Sequence, residues 1–184
     1  MDKGFLGYGP ARGLTKNIEE ITCDFRKRRA LEICAEAQAL HTKGMTARAI
    51  PIYAKSIRIL PTAEAHAFLG WAYSAHQRYD LAIEECLQAI DVDPEYGNSY
   101  NDIGSYYVSQ GKLEESVIWF ERAKQATRYE SPHFPYLNLG RVYAAKGMKL
   151  RAIREFEKAL EFEPGEESCL KALKELRASL VEAF

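Results

Sequence analysis

The side chains able to do covalent or metal chemistry are few and scattered. Cys23, Cys34, Cys86 and Cys169 lie 11, 52 and 83 residues apart, with no C-x-x-C and no His-x-x-x-His to complete a zinc set. They read as reduced thiols, and neither a metal nor a cofactor is expected. His41, His66, His76 and His133 are dispersed, and none has an assignable nucleophile and orienting acid. G-x-x-x-x-G-K-[ST], H-E-x-x-H and G-x-S-x-G are all missing, so the loops that cradle phosphate, hold catalytic zinc or present a nucleophilic serine have no sequence to build them. The chain reads as a non-enzyme with no catalytic residues. One charged run, Arg26-Lys27-Arg28-Arg29, could meet an acidic partner, although such runs more often face solvent at a helix end.

With 47% hydrophobic and 28% charged residues, the 184-residue chain must form a folded core. Lys and Arg number 25 against 26 Asp and Glu, a net charge of −1 that supplies no general field for nucleic acid or an anionic membrane. Charge is unevenly spread, with +3 on residues 1–29 and −4 on residues 30–96. No window approaches the roughly 18 apolar residues of a membrane helix, so insertion is not expected. The first residues show neither an apolar leader segment nor a lipid-acceptor cysteine, and the expected location is cytoplasmic.

The elements that must position any binding residues repeat. His66-x-x-Leu69-Gly70-x-x-Tyr73 with Ala82, Cys86, Ala89 and Pro94 returns as Tyr100-x-x-Ile103-Gly104-x-x-Tyr107 with Ser116, Phe120 and Ala123. It returns again as Tyr136-x-x-Leu139-Gly140-x-x-Tyr143 with Ala152, Phe156, Ala159 and Pro164. The Gly-to-Gly steps are 34 and 36 residues, the extra two falling in the turn at 128–132. A weaker copy lies upstream at Ile33, Ala37, Leu40, Ala49, Tyr53, Ser56 and Pro61. Small residues let two helices of a hairpin approach closely while large ones fill the gap. Gly44, Gly111 and Gly147 stand where a left-handed residue ends each first helix, and Gln77 holds that place in the second copy at a higher conformational cost.

This pattern resembles the tetratricopeptide repeat family over residues 30–166. The resemblance implies an all-α, right-handed solenoid of about four helical hairpins at 30–62, 63–96, 97–132 and 133–166. Around them we expect a glycine-rich mobile arm at 1–14, a helix with a basic end at 15–29 and a capping helix at 167–184, where Leu170, Leu173, Leu176 and Leu180 form one stripe. Ile18, Ile21 and Phe25 give the N-terminal helix an apolar stripe through which self-association could run.

The resemblance also implies a protein-binding adaptor, since first helices line the concave side of stacked hairpins. Offsets of six and three before the repeat glycine, and one and four after it, select Leu31, Cys34, Gln38 and His41, then Glu64, Ala67, Trp71 and Ser74. The later copies supply Asn98, Asn101, Ser105 and Val108, then Phe134, Leu137, Arg141 and Ala144. The candidate partner-binding set is Gln38, His41, Glu64, Trp71, Ser74, Asn98, Asn101, Asp102, Ser105, Phe134, Asn138 and Arg141. Trp71 carries the most weight as an aromatic anchor. Asparagines can bridge a peptide backbone, and Arg141 can hold a carboxylate. The Lys and Asn clamp with which some family members hold a chaperone's C-terminal carboxylate is missing, its places being taken by Ala67, Trp71, Asn101, Ser105 and Asp102. The Pro-His-Phe-Pro-Tyr stretch at 132–136 looks like that of secretion chaperones, and pilus-assembly repeat proteins carry a Pro-containing insertion at the same turn. The expected partner is another protein or peptide, and not nucleic acid.

Overall fold

The repeat spacing demands short amphipathic helices joined by tight turns. The computed structural model, which describes residues 12–181, has them: α1 (Arg12–Thr42), α2 (Thr46–Ile59), α3 (Ala63–Ser74), α4 (Tyr79–Val92), α5 (Gly97–Ser109), α6 (Leu113–Ala123), α7 (His133–Ala145), α8 (Lys149–Phe162) and α9 (Glu167–Val181). Among the described residues there is no strand, only one isolated bridge between Tyr96 and Arg128.

Each hairpin turn is the same device. The amide of Gly44, Gln77, Gly111 or Gly147 donates to the carbonyl three residues back, and the next amide donates five residues back to Leu40, Tyr73, Tyr107 or Tyr143. These paired bonds satisfy the orphaned carbonyls of the first helix and aim the chain back along it. The closing residue must be left-handed, and φ is +75, +75 and +72° at Gly44, Gly111 and Gly147, with Gln77 at +58°. Helices α2, α4, α6 and α8 therefore start from the turn backbone, without a side-chain cap. At α3, where no such turn precedes, Thr62 accepts from the Ala65 amide at 3.2 Å.

Inside the hairpins, a Cβ at Gly104 or Gly140 would stand 2.6 Å from the ring of Phe120 or Phe156. Both rings are almost wholly buried, each burial stabilising by about 1.5–3 kcal/mol. Gly70 faces Cys86, a smaller side chain, and α4 comes in until the Ala82 carbonyl stands 2.9 Å from the missing Cβ. Ala37 and Tyr53 fill the corresponding places of the first hairpin, where Ser56 donates to the Ala30 carbonyl at 2.7 Å.

Consecutive hairpins stack, with α1 meeting α3, α3 meeting α5 and α5 meeting α7, so the first helices line the inner side of the solenoid. The C-terminal helix α9 closes the stack by burying Cys169 and Leu173 in the core formed with α7 and α8.

One expectation changes, and two others fall outside the described residues. The helix read at 15–29 and the first repeat helix are one continuous α1, because no Gly or Pro lies between Gly13 and Gly44 to end it. Every described side chain of residues 17–29 is exposed, and burial begins at Ala30, so this half of α1 projects from the stack. The glycine-rich arm read at 1–14 lies, through residue 11, outside the described residues, as do residues 182–184 of the capping segment.

Candidate partner-binding face

The inner face carries three cavities in a row. The first, about 470 Å³, is lined by Gln38, His41, Thr42, Tyr53, Phe68 and Trp71. The second, about 360 Å³, lies between α3, α5 and the α6–α7 loop and is lined by Ala67, Phe68, Trp71, Tyr96, Asn98, Asn101, Asp102, Tyr129, Ser131 and Phe134. The third, about 380 Å³, is lined by Ser105, Val108, Leu113, Phe120, Asn138, Arg141, Val142 and Ala145. Ten of the twelve candidate residues fall into these cavities. They come from four helices, and only stacking joins them.

Trp71 forms part of both the first and the second cavity and is 56% exposed. An aromatic so exposed is available to bury large area when a partner arrives. One side of it is braced by His41, with ring centroids 5.3 Å apart. His41 in turn lies 3.4 Å from the Tyr53 hydroxyl, and burial lowers its pKa, favouring the neutral ring.

Several candidates are engaged within the protein. Glu64 accepts from Arg128 at 2.6 Å, and Arg128 also binds Asp93 at 2.6 Å while lying over the Tyr96 ring. Ser74 donates to the Trp71 carbonyl at 2.9 Å and lines none of the three cavities. Asn138 donates to the Asn101 side-chain oxygen at 2.9 Å, which leaves the other half of each amide for a ligand. Arg141 is exposed and makes no ion pair with a described residue. The reading of Cys34, Ala67 and Leu137 as exposed groove positions is corrected. They are 7, 4 and 2% exposed, because the place three before the repeat glycine faces the adjoining inner helix.

In the second cavity, the lining residues that sequence reasoning missed include Phe68, Tyr96, Tyr129 and Ser131. The last two belong to the two-residue insertion, which folds back on the α4–α5 turn. Arg128 exchanges backbone bonds with Glu95 and Gly97 at 3.0 Å each, and Thr127 binds the Glu95 carboxylate through both its amide and its hydroxyl. Tyr129 then packs on Gly97, where a Cβ would stand 2.6 Å from it. The 36-residue step between Gly104 and Gly140 was the sequence signal of this wall.

Three of the four thiols are buried and poorly placed to act as nucleophiles. Burial pushes Cys34 and Cys169 up to about 11 and raises Cys86, so all three stay protonated. His66, read at a packing position, is buried and binds Glu85 at 2.8 Å. Among the described residues no group of three or more His, Cys, Asp or Glu is placed to hold a metal, and no helix is long and apolar enough to cross a membrane.

Four stacked hairpins with a shared turn, a small residue under each large one and an open inner face define an all-helical repeat solenoid, the class that displays surfaces to other proteins. Tetratricopeptide repeat profiles match residues 69–131 and 135–166, together about half of the chain. The chain belongs to the tetratricopeptide repeat family. Its sequence is 34% identical over 99 residues to small glutamine-rich tetratricopeptide repeat-containing protein 2 of Saccharomyces cerevisiae, covering 50% of this chain and 29% of that one. It spans less than a third of the length of the curated relatives it matches first. The structure is similar to that of Pseudomonas aeruginosa pilF, with a TM-score of 0.79 and 25% identity over 85% of this chain and 71% of that one. It shares its fold with the first repeat domain of Spaghetti (RPAP3) bound to an HSP90 peptide, SRMEEVD, at a TM-score of 0.59 and 23% identity over 65% and 93% of the two chains.

Proposed function

We propose that the chain is a non-catalytic interaction module that holds an extended segment of another protein along its inner face. The observation that carries this reading is Trp71, exposed between two cavities on the side where first helices meet. The fold shared with a peptide-bound repeat domain supports it. An acidic C-terminal tail of the kind bound there is disfavoured here, since Asp102 lines the central cavity and would repel it. Affinity capture with the intact chain as bait tests the reading. Trp71→Ala should weaken recovery of the specific partner about thirtyfold, the loss of a hot-spot anchor worth ~2 kcal/mol, while Lys158→Ala on α8 leaves it unchanged. Equal recovery by both variants removes the groove from the interaction.

A second reading is favoured by a different surface. Ile18, Ile21 and Phe25 are 60, 62 and 67% exposed on the projecting half of α1. A lone exposed helix of this length is marginal in water, so the stripe is suited to cover by a second copy. Sedimentation that stays monomeric at rising concentration defeats this reading, and a dimer lost on deleting residues 1–29 supports it. Among pathways, the likeness to pilF supports a pilus-associated role over a secretion-chaperone role. Deletion of the gene in its own host, with surface pili counted, tests that.

A further inference from the structure

The seams between inner helices repeat one contact. Between α5 and α7, Asn101, three before its repeat glycine, bonds to Asn138, two before the next. In the α3–α5 seam the same two places hold Ala67 and Asp102. A methyl group cannot donate to a carboxylate. No donor or cation among the described residues reaches Asp102; burial is the one influence on it, and it pushes the carboxyl up to about 7. Asp102 is half-buried, and a carboxylate partly withdrawn from water without a partner is unfavourable, so a ligand that supplies the partner lowers that penalty.

The rest of the cavity suits a cation. Trp71, Tyr96 and Tyr129 line the cavity together with Asp102, and the Asn98 side chain adds an amide oxygen. Glu64 and Glu130 add negative charge at Tyr96, and Arg128, the cation packed there, is already held by Glu64 and Asp93. The titratable groups that act on or feel Asp102 from the surrounding elements are Tyr96, Tyr106, Tyr129 and Cys86, all kept neutral by burial.

We infer that this cavity receives one lysine or arginine side chain of the segment bound along the inner face, its cation seated among Trp71, Tyr96 and Tyr129 and paired with Asp102. The inference rests on the groove reading and deepens it, giving the bound segment a basic residue at the α3–α5 seam. The pairing tightens as pH rises through the range in which Asp102 ionises, while the tyrosines and Cys86 remain protonated.

The test titrates the isotope-labelled full chain with acetyl-lysine methylamide, its norleucine counterpart of similar length without charge, and the glutamate counterpart, followed by NMR. Lysine should shift the Trp71 indole and the Asn101 and Asp102 amides and bind about tenfold more tightly than norleucine, with glutamate weaker still. Asp102→Asn, which keeps the shape, should reduce lysine to the norleucine level. Gly97→Ala, which pushes Tyr129 off its seat, should also weaken lysine with helix content unchanged. Equal binding of lysine and norleucine, unchanged lysine binding in Asp102→Asn, or no shift with any of the three overturns the inference. Loss of partner capture by Trp71→Ala without a lysine preference removes the cation site and leaves the groove reading. A lysine preference with capture intact in Trp71→Ala leaves the cation site and removes the groove reading.

Discussion

The second and third hairpins close over the same small residue in different ways. In the third, the Phe120 ring fills the space that Gly104 leaves empty and supplies its nearest contacts. In the second, Cys86 is too small to do so, and α4 advances until its backbone, at the Ala82 carbonyl, becomes the nearest contact of Gly70. The turns differ as well: Gly111 closes the third at +75°, whereas Gln77 closes the second at +58° against its own Cβ. One sequence pattern thus permits two packings, and the side chain opposite the glycine selects between them. The seam between these hairpins is also where Asp102 stands without a partner.

The largest effect should come from Gly104→Leu. Its side chain must displace the buried Phe120 ring, and overpacking combined with loss of that burial should cost about 3–5 kcal/mol. Solenoid coupling is between neighbours, so hydrogen exchange should rise mainly in the second and fourth hairpins. An unchanged melting temperature would contradict the contact. Cys86→Phe restores the residue used by the third and fourth hairpins, yet it should destabilise by roughly 1–3 kcal/mol, since α4 already occupies the room a ring needs. Stabilisation on denaturant titration would show that the second hairpin can open to the spacing of the third.

Asp102→Asn sharpens the contrast at the seam. The carboxyl is raised in the folded protein from 3.8 to about 7, so the folded state binds its proton more tightly than the unfolded chain. Its contribution is full below pH 4 and is lost as pH rises toward 7. Melting of the wild type should therefore fall below that of the variant across this window, by about 2–4 °C, the difference being limited because the carboxyl borders an open cavity. A constant difference from pH 4 to 8 would mean that Asp102 does not titrate there. The smallest effect should be Gln77→Gly, which relieves a left-handed side-chain residue and should raise stability by about 0.5–1 kcal/mol. Gly111→Ala should act in the opposite sense, and paired melting curves of the two variants check both.

Much of the fold was legible because its determinants are local or periodic. The turn at Gly111 needs only a residue that tolerates positive φ, and Gly104 with Phe120 recurs as Gly140 with Phe156 at a fixed spacing. The continuity of α1 was not read from the sequence, which was divided at the start of the first repeat, although no Gly or Pro between Gly13 and Gly44 interrupts it. Trp71 followed from its offset of one after Gly70, a place that points out of the hairpin.

By itself, the sequence determined the number of hairpins, where each turns, and which positions face inward, since these follow from periods of a helix and of a repeat carried by the chain itself. Only the tertiary structure decided that Asn101 finds Asn138 while Asp102 faces Ala67, and that the insertion lays Tyr129 on Gly97 as a cavity wall. Those outcomes depend on which side chains from different repeats meet across a seam, and a meeting such as that of Asn101 and Asn138, 37 positions apart, is set by how the hairpins stack, which no local pattern records.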